Sequence, residues 1–377
     1  MVPETLHDTV AITNLRAYKQ NIRKILDYIG ASVRLMAVVK ANAYGHGMAE
    51  CAQTAIEAGA SMLGVAFACE GAALRKAGIT IPILVLAQES YTYIPDLVDN
   101  SLTISLTSFS MLDELKKVIE NNRRTCRVHI KVDTGMGRIG VQPDDATGLV
   151  EAALKTSGVT VEGIYSHFPS ADFEDEDFTR KQIERFSSLL DNLDRKGIKP
   201  EIVHICNSAA LIKFPEAHFD LVRPGIMTFG LSPYSGSEKK LALEPVLSLV
   251  SRIVFIKEVL AGFAVSYGGT FVTKRASRLA TVPVGYADGY RRHLSNRGKA
   301  IVNGIVVPVA GRVCMDQTVF DITDAGDVRE GDPVILIGSH GDARISVENI
   351  ACTLGTISHE IVTGITSRVS RTFIPAS

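Results

Sequence analysis

The sequence predicts an α/β protein, a (β/α)8 TIM-type barrel followed by a C-terminal mainly-β domain. Three observations predict it. Eight short apolar runs alternate with helix-length stretches as far as Arg223. Beyond residue 240 the strand patterns crowd together. Polar residues able to do chemistry stand where the apolar runs end, which is where a barrel of this kind gathers its active site.

The first element is a helix. Leu15, Tyr18, Ile22, Ile25 and Ile29 recur at helical spacing, with Thr13 or Asn14 as cap and Gly30 as stop. Apolar β-type runs follow at Arg34–Val39, Met62–Val65, Pro82–Ala87, Leu102–Ser105, Arg127–Val132, Val161–Ser166, Glu201–Ile205 and Asp220–Arg223. Between them lie helix-length stretches such as Met111–Glu120 and Phe178–Arg195. Continuous apolar strands alternating with helices indicate a parallel sheet. Eight such units suggest a closed barrel, with a doubly wound sheet as runner-up. The polar, turn-rich segment Tyr234–Lys240 marks a boundary. After it, Val246–Glu258, Leu279–Val284, Lys299–Val309, Thr318–Ile322 and Pro333–Gly338 read as strands, and Asn303-Gly304 is a two-residue hairpin signal. A helical stretch is expected over Val347–Ile365. A chain of 377 residues exceeds one typical core, and the expected domains are a barrel at 1–240 and a β-domain at 241–377.

Composition narrows the function classes. Apolar residues make up 46%, charged residues 21%, and the formal net charge is −1. Nothing forms the basic stripe that a nucleic-acid partner needs. The opening MVPETLHD has neither the basic nor the apolar region of a secretory leader. No apolar run approaches the ~20 residues that span a bilayer. A cytoplasmic protein without membrane or nucleic-acid partners is expected. Cys51, Cys69, Cys126, Cys206, Cys314 and Cys352 are scattered without a C-x-x-C pair. That spacing fits reduced thiols, and no metal is expected.

Lys40 ends the first strand run, Lys131, Asp133 and Arg138 the fifth, His167 the sixth, His204, Asn207 and Ser208 the seventh, and Arg223 the eighth. Any one of these also reads as a strand-end residue reaching water. Their convergence on one barrel mouth is what points to chemistry. A lysine at an apolar mouth is partly desolvated, which lowers its pKa and frees its amine for Schiff-base chemistry. Tyr44, four residues on, places a phenol at a loop-to-helix junction. Gly225 and Ile226 follow the last strand, where barrels bind phosphate, and Asn207-Ser208 adds donors. Turn geometry alone also accounts for Gly225.

Gly135–Gly140 matches G-x-G-x-x-G after a strand. A dinucleotide fold needs those glycines to open a long helix. Val141-Gln142-Pro143 follows at once, and proline does not suit a helix interior. In the second half, Tyr267 precedes a double glycine, while Gly285–Tyr290 and Gly311–Gln317 read as loops on a β-frame. Alone, none of these carries a function.

Together, VVKANAYGHG (38–47), KVDTGMGRIG (131–140), HICNSAA (204–210), VRPGI (222–226), VSYGGTF (265–271), PVGYADGY (283–290) and GRVCMDQ (311–317) resemble alanine racemases, in the family's order and over most of the chain. The resemblance implies a barrel that binds pyridoxal 5'-phosphate (PLP), a C-terminal β-domain and a head-to-tail homodimer with shared active sites. It implies interconversion of L- and D-alanine, with D-alanine supplied for peptidoglycan.

By the same resemblance, Lys40 holds the cofactor covalently, and Tyr44, Asn207, Ser208, Gly225 and Ile226 surround its phosphate. Arg223 faces the pyridine nitrogen with His167 beside it. Arg138 contacts the cofactor phenol oxygen and the substrate carboxylate. Lys131 resembles a lysine that many members carbamylate. Tyr267 corresponds to the second base, supplied by the partner subunit, and the Met315 backbone helps hold substrate. Racemisation needs a proton removed on one face of Cα and returned on the other, which Lys40 and Tyr267 would divide. One departure stands out. GTISHEI (355–361) has His359 where the family usually has a tyrosine near the phosphate and the substrate pocket. A broader alanine/serine racemase is therefore an alternative. So are a decarboxylase of the same fold acting on a longer, cationic substrate, and a non-catalytic PLP-binding barrel. The last lacks a β-domain, so residues 241–377 argue against it.

Overall fold

A computed structural model describes residues 8–122 and 124–376. The chain divides into two compact units. One holds Tyr18–Ala43 and Met48–Glu244; the other holds the described residues up to Ala17, Tyr44–Gly47, and everything described from Pro245 onward.

In the first unit eight parallel strands form one sheet: Arg34–Val38, Met62–Val65, Ile83–Val85, Thr103–Leu106, Cys126–Lys131, Val159–Tyr165, Ile202–His204 and Leu221–Val222. Each pairs with its successor as far as the seventh, and the eighth pairs with the first through Arg34↔Leu221 and Leu35↔Val222. The seam between seventh and eighth is closed by Asp220 N–H to Val203 O at 3.1 Å and Arg223 N–H to Cys206 O at 3.0 Å. Each expected strand run is therefore a barrel strand. Helices fill the gaps, including Phe109–Asn122 and Asp177–Arg195. Inside, Met36, Met62, Leu84, Tyr165, Ile202 and Leu221 form one buried cluster. Truncating a buried leucine such as Leu84 to alanine costs about 2–5 kcal/mol.

In the second unit a sheet runs in the order Ile305–Pro308, Lys299–Val302, Pro333–His340, Leu247–Arg252, Val10–Asn14, Ser370–Ile374. A second sheet joins Phe255–Val259, Ser277–Val282 and Thr318–Asp321. The single strand expected over Val246–Glu258 is two strands. Ile253 N–H still bonds Asp332 O, while Val254 N–H turns to Thr281 O, so the chain changes sheets between them. Asn303-Gly304 makes the expected hairpin, with φ of 49° and 75°. The expected helical stretch is Val347–Leu354 and Ser358–Thr363, interrupted at Gly355, whose φ of 69° ends the first helix. Asn14 is the cap of the helix Leu15–Ile29, its Oδ1 accepting from Ala17 N–H at 3.0 Å. Among the strands that the sequence reading missed are Val10–Asn14 and Ser370–Ile374, which pair in parallel. Among the described residues no helix is long and apolar enough to cross a membrane.

Candidate active site

In the barrel unit, Lys40 follows directly on the first strand and enters an unusual turn. Ala41, Asn42, Ala43 and Tyr44 all hold left-handed conformations, with φ from 52° to 54°. L-residues resist that conformation by roughly 1–2 kcal/mol each. Glu70 clamps the turn's start: its Oε1 accepts from Ala41 N–H at 2.6 Å and its Oε2 from Ala66 N–H at 2.7 Å. Asn42 Oδ1 accepts from Met48 N–H at 2.9 Å. The Lys40 amine is pulled below the ordinary lysine pKa, first by burial and then by the Arg138 guanidinium, against a smaller opposing pull from Glu70. An amine so shifted is more often neutral and nucleophilic.

Arg223 ends the eighth strand and is 4% exposed. Its NH1 donates to His204 Nδ1 at 2.7 Å. Its NH2 donates to Ser166 O, Ile205 O and His167 Nδ1 at 2.8, 3.0 and 3.2 Å. Its Nε has no partner among the described residues. Burial lowers the Arg223 pKa to about 10. Among the described residues no carboxylate is hydrogen-bonded to it, so a ligand's acceptor suits this site. Burial and then Arg223 push His167 well below its usual pKa, which keeps the ring neutral. Lys131 is 2% exposed, and its Nζ has no hydrogen-bond partner among the described residues. It lies 4.8 Å from the Tyr165 ring centre, and burial followed by Arg223 drives its pKa well down. Arg138 sits on the following exposed loop, near enough to act on Lys40, Lys131 and His167.

The glycine run Gly135–Gly140 opens no helix. Gly140 has φ of 123°, and a Cβ there would stand 2.9 Å from Asp133 N and Lys131 O, so the glycine permits a tight return of the chain. The helix begins only at Pro143. Ser208 Oγ accepts from Gly225 N–H at 3.0 Å, tying the seventh and eighth strand ends together in front of Ile226. Asn207 Oδ1 caps the next turn through Ala210 N–H at 3.0 Å, and its Nδ2 donates to Phe168 O at 3.2 Å.

In the β unit, Tyr267 follows Ser266, whose φ of 61° is strained for a side-chain-bearing residue. Ser266 Oγ donates to Arg312 O at 2.7 Å, binding this turn to the Met315 loop. Met315 O accepts from Ala287 N–H at 3.0 Å, while its own N–H has no partner among the described residues. Tyr44 and His359 lie with ring centres 5.8 Å apart. The structure thus gathers Lys40, Lys131, Arg138, His167 and Arg223 at one mouth, and Ser208 with Gly225 beside them. It separately pairs Tyr44 with His359 and the Tyr267 turn with the Met315 loop. Glu70 escaped the sequence reading, because a carboxylate within an ordinary helix carries no positional mark.

Two family models match the chain: the alanine racemase N-terminal domain over residues 13–233 and the alanine racemase C-terminal domain over 246–373. The chain belongs to the alanine racemase family. It is 43% identical to an alanine racemase of Halothermothrix orenii, covering 97% of this chain and 96% of that one. It is 40% identical to one of Methanococcus maripaludis, covering 98% and 99%. Among solved structures, the alanine racemase of D-cycloserine-producing Streptomyces lavendulae superposes with a TM-score of 0.93 at 37% identity, covering 99% and 98%. That of Bacillus anthracis with bound L-Ala-P gives 0.93 at 38% identity, covering 99% and 96%. The barrel followed by a strand-rich domain is the family's fold, and the enzyme class of this chain is amino-acid racemase.

Proposed function

We propose that this chain interconverts L- and D-alanine in the cytoplasm as a PLP-dependent homodimer, supplying D-alanine for peptidoglycan. One observation carries the proposal. A pKa-lowered lysine and a buried arginine whose Nε–H has no partner among the described residues stand on adjacent strands of a single barrel mouth. The donor set fits PLP: an amine for the aldehyde, an arginine N–H for the pyridine nitrogen, and Tyr44, Asn207, Ser208, Gly225 and Ile226 for the phosphate. Bound PLP supplies an electron sink that acidifies the substrate Cα–H.

The protein's groups do the rest. Lys40 holds or returns the proton on one face of Cα, and the partner subunit's Tyr267 on the other. Arg138 pairs with the substrate carboxylate, and Met315 N–H adds a donor. Arg223 has no acceptor atom, so facing the ring nitrogen of bound PLP it would donate to it and could not take its proton, which would keep the sink weak and side reactions such as transamination slow. Neutral His167 beside it adds no charge. Lys131, buried and without a hydrogen-bond partner among the described residues, is suited to react as a neutral amine with CO2. The carbamate so formed, with loss of one proton, would pair with Arg138. The barrel and the β-domain are proposed as the domains 1–240 and 241–377.

The test is conversion of each alanine enantiomer by the purified, PLP-loaded protein. Equilibration in both directions is expected. CO2 release from a cationic amino acid without alanine racemisation would instead establish the decarboxylase reading.

A further inference from the structure

Behind the barrel mouth, polar side chains run in a line through an otherwise apolar interior. Arg223 NH1 lies 2.7 Å from His204 Nδ1, His204 Nε2 lies 2.8 Å from His129 Nδ1, and His129 Nε2 lies 3.0 Å from Glu162 Oε2. All four belong to the barrel unit, and both histidines are fully buried. The direction of this line follows from elementary chemistry. A guanidinium only donates, so His204 Nδ1 must accept. The one proton of neutral His204 then sits on Nε2 and is donated to His129 Nδ1. His129 in turn carries its proton on Nε2 and donates it to the Glu162 carboxylate. Protonating either ring a second time would set two donors against each other. Burial acts in the same sense, holding both rings below the usual histidine pKa, with Arg223 adding to the effect on His204.

The backbone is built around this line. Val128 pairs with Val161 but His129 pairs with Gly163, so Glu162 is the extra residue of a bulge in the sixth strand. Bulges re-aim side chains, and they are rare in parallel sheets. A Cβ on Gly163 would stand 2.7 Å from His129 Nδ1, the very atom that accepts from His204. Tyr165 stacks on His204 with ring centres 4.7 Å apart and planes 1° from parallel, its hydroxyl 2.6 Å from Ser105 Oγ. At the far end Glu162 Oε1 meets Arg127 Nε at 3.4 Å.

We propose that Glu162, acting through His129 and His204, is a positioning residue that fixes the plane and the outward N–H of Arg223. The inference rests on the reading of Arg223 as the residue facing the cofactor ring; the line of hydrogen bonds does not. The guanidinium sets the direction of the line, and the carboxylate at the remote end accepts its last proton. Without that carboxylate the buried His129 Nε2–H has no acceptor, and the rings that hold Arg223 NH1 lose their anchor.

The test uses the PLP-loaded protein with 15N-labelled histidine, read by long-range 15N–1H NMR, with H129Q and H204Q to assign the signals. His129 and His204 are expected neutral and protonated on Nε2 from about pH 6 to 8. E162L is expected to leave the His129 Nε2 proton without an acceptor, read as a displaced, exchange-broadened Nε2 signal at an unchanged circular dichroism spectrum. Its alanine kcat should fall roughly tenfold or more with KM little altered, as for loss of an outer-layer orienting partner. E162Q, which keeps an acceptor, is expected to restore most of kcat. A proton on Nδ1 of either ring in the unsubstituted protein, or wild-type kcat in E162L, overturns the proposal. If E162L does not fold, the tautomers of the unsubstituted protein decide alone. The expected tautomers together with no racemisation by the unsubstituted protein would support the line while sinking the functional reading.

Discussion

In the barrel unit the groups assigned to chemistry lie among one another's charges. Lys131 and Arg223 are almost wholly buried, Lys40 is half-buried, and each shifts another's protonation. In the β unit the assigned groups stand clear of their own chain: taken singly, the chain leaves Tyr267 70% exposed and Met315 52%. What is fixed there is backbone. Ser266 is strained, Gly285 and Gly311 admit no side chain, and the two loops are laced by main-chain hydrogen bonds. The comparison teaches that a site is preorganised in two ways. A buried cation such as Arg223 needs a network of acceptors to hold it, because desolvated charge is costly unless it is satisfied. A phenol that stands clear of its own chain needs a rigid mounting.

The largest expected effect falls on the barrel side. Lys40→Ala should lower alanine racemisation by about 10³-fold or more and abolish the visible absorbance of covalently held cofactor. Borohydride trapping that labels a different lysine would remove Lys40 from its role. Next comes Tyr267→Phe, which should retain bound cofactor yet lose about 10²–10⁴-fold in rate. Deuterium wash-in should then become unequal between the enantiomers, because only one face loses its base. Equal residual exchange from both would show that the exposed phenol is not one of two bases.

These residues also show where the sequence was legible. The eight barrel strands could be read because strands buried on both faces are continuous apolar runs. Lys40 and Arg223 could be read because charges break such runs at their ends. Val10–Asn14 and Ser370–Ile374 could not, because each finds its partner at the opposite end of the chain and neither carries a clear alternating pattern. The left-handed turn after Lys40 was hidden because no glycine announces it in KANAY. Glu162 was hidden because its place in the line depends on a bulge, a feature of register that local pattern does not encode. Side-chain chemistry at strand ends is thus written locally, and the devices that aim it are written in the fold.

A backbone mounting predicts its own failure mode. A Cβ on Gly285 would stand 2.2 Å from Met315 O, so Gly285→Ala must displace the Met315 loop. Displacement by about 1 Å can cost up to about 10²-fold in rate. The expected result is a kcat/KM for alanine lowered by roughly tenfold to a hundredfold, with cofactor absorbance unchanged. Unchanged kcat/KM in a folded Gly285→Ala protein would mean that the β unit's rigidity is not what its exposed groups depend on.

The smallest expected effect concerns His359, a position where the family resemblance implies a tyrosine and this chain carries a shorter ring. His359 lies 5.8 Å ring-to-ring from Tyr44, tilted by 55°, and its backbone carbonyl accepts from Thr363 Oγ1 at 2.6 Å. Its backbone is therefore anchored while its side chain is exposed. A tyrosine in its place would extend further and close part of the space that a seryl hydroxyl needs. Small apolar differences in a pocket wall are worth only ~1–3 kcal/mol in discrimination. His359→Tyr should accordingly raise the ratio of kcat/KM for alanine over serine by about tenfold, leaving cofactor binding intact, since a tyrosine hydroxyl can donate as an imidazole N–H can. Parallel kinetics with both amino acids decide it. An unchanged ratio would mean that His359 substitutes for tyrosine in role and that specificity is set elsewhere in the pocket.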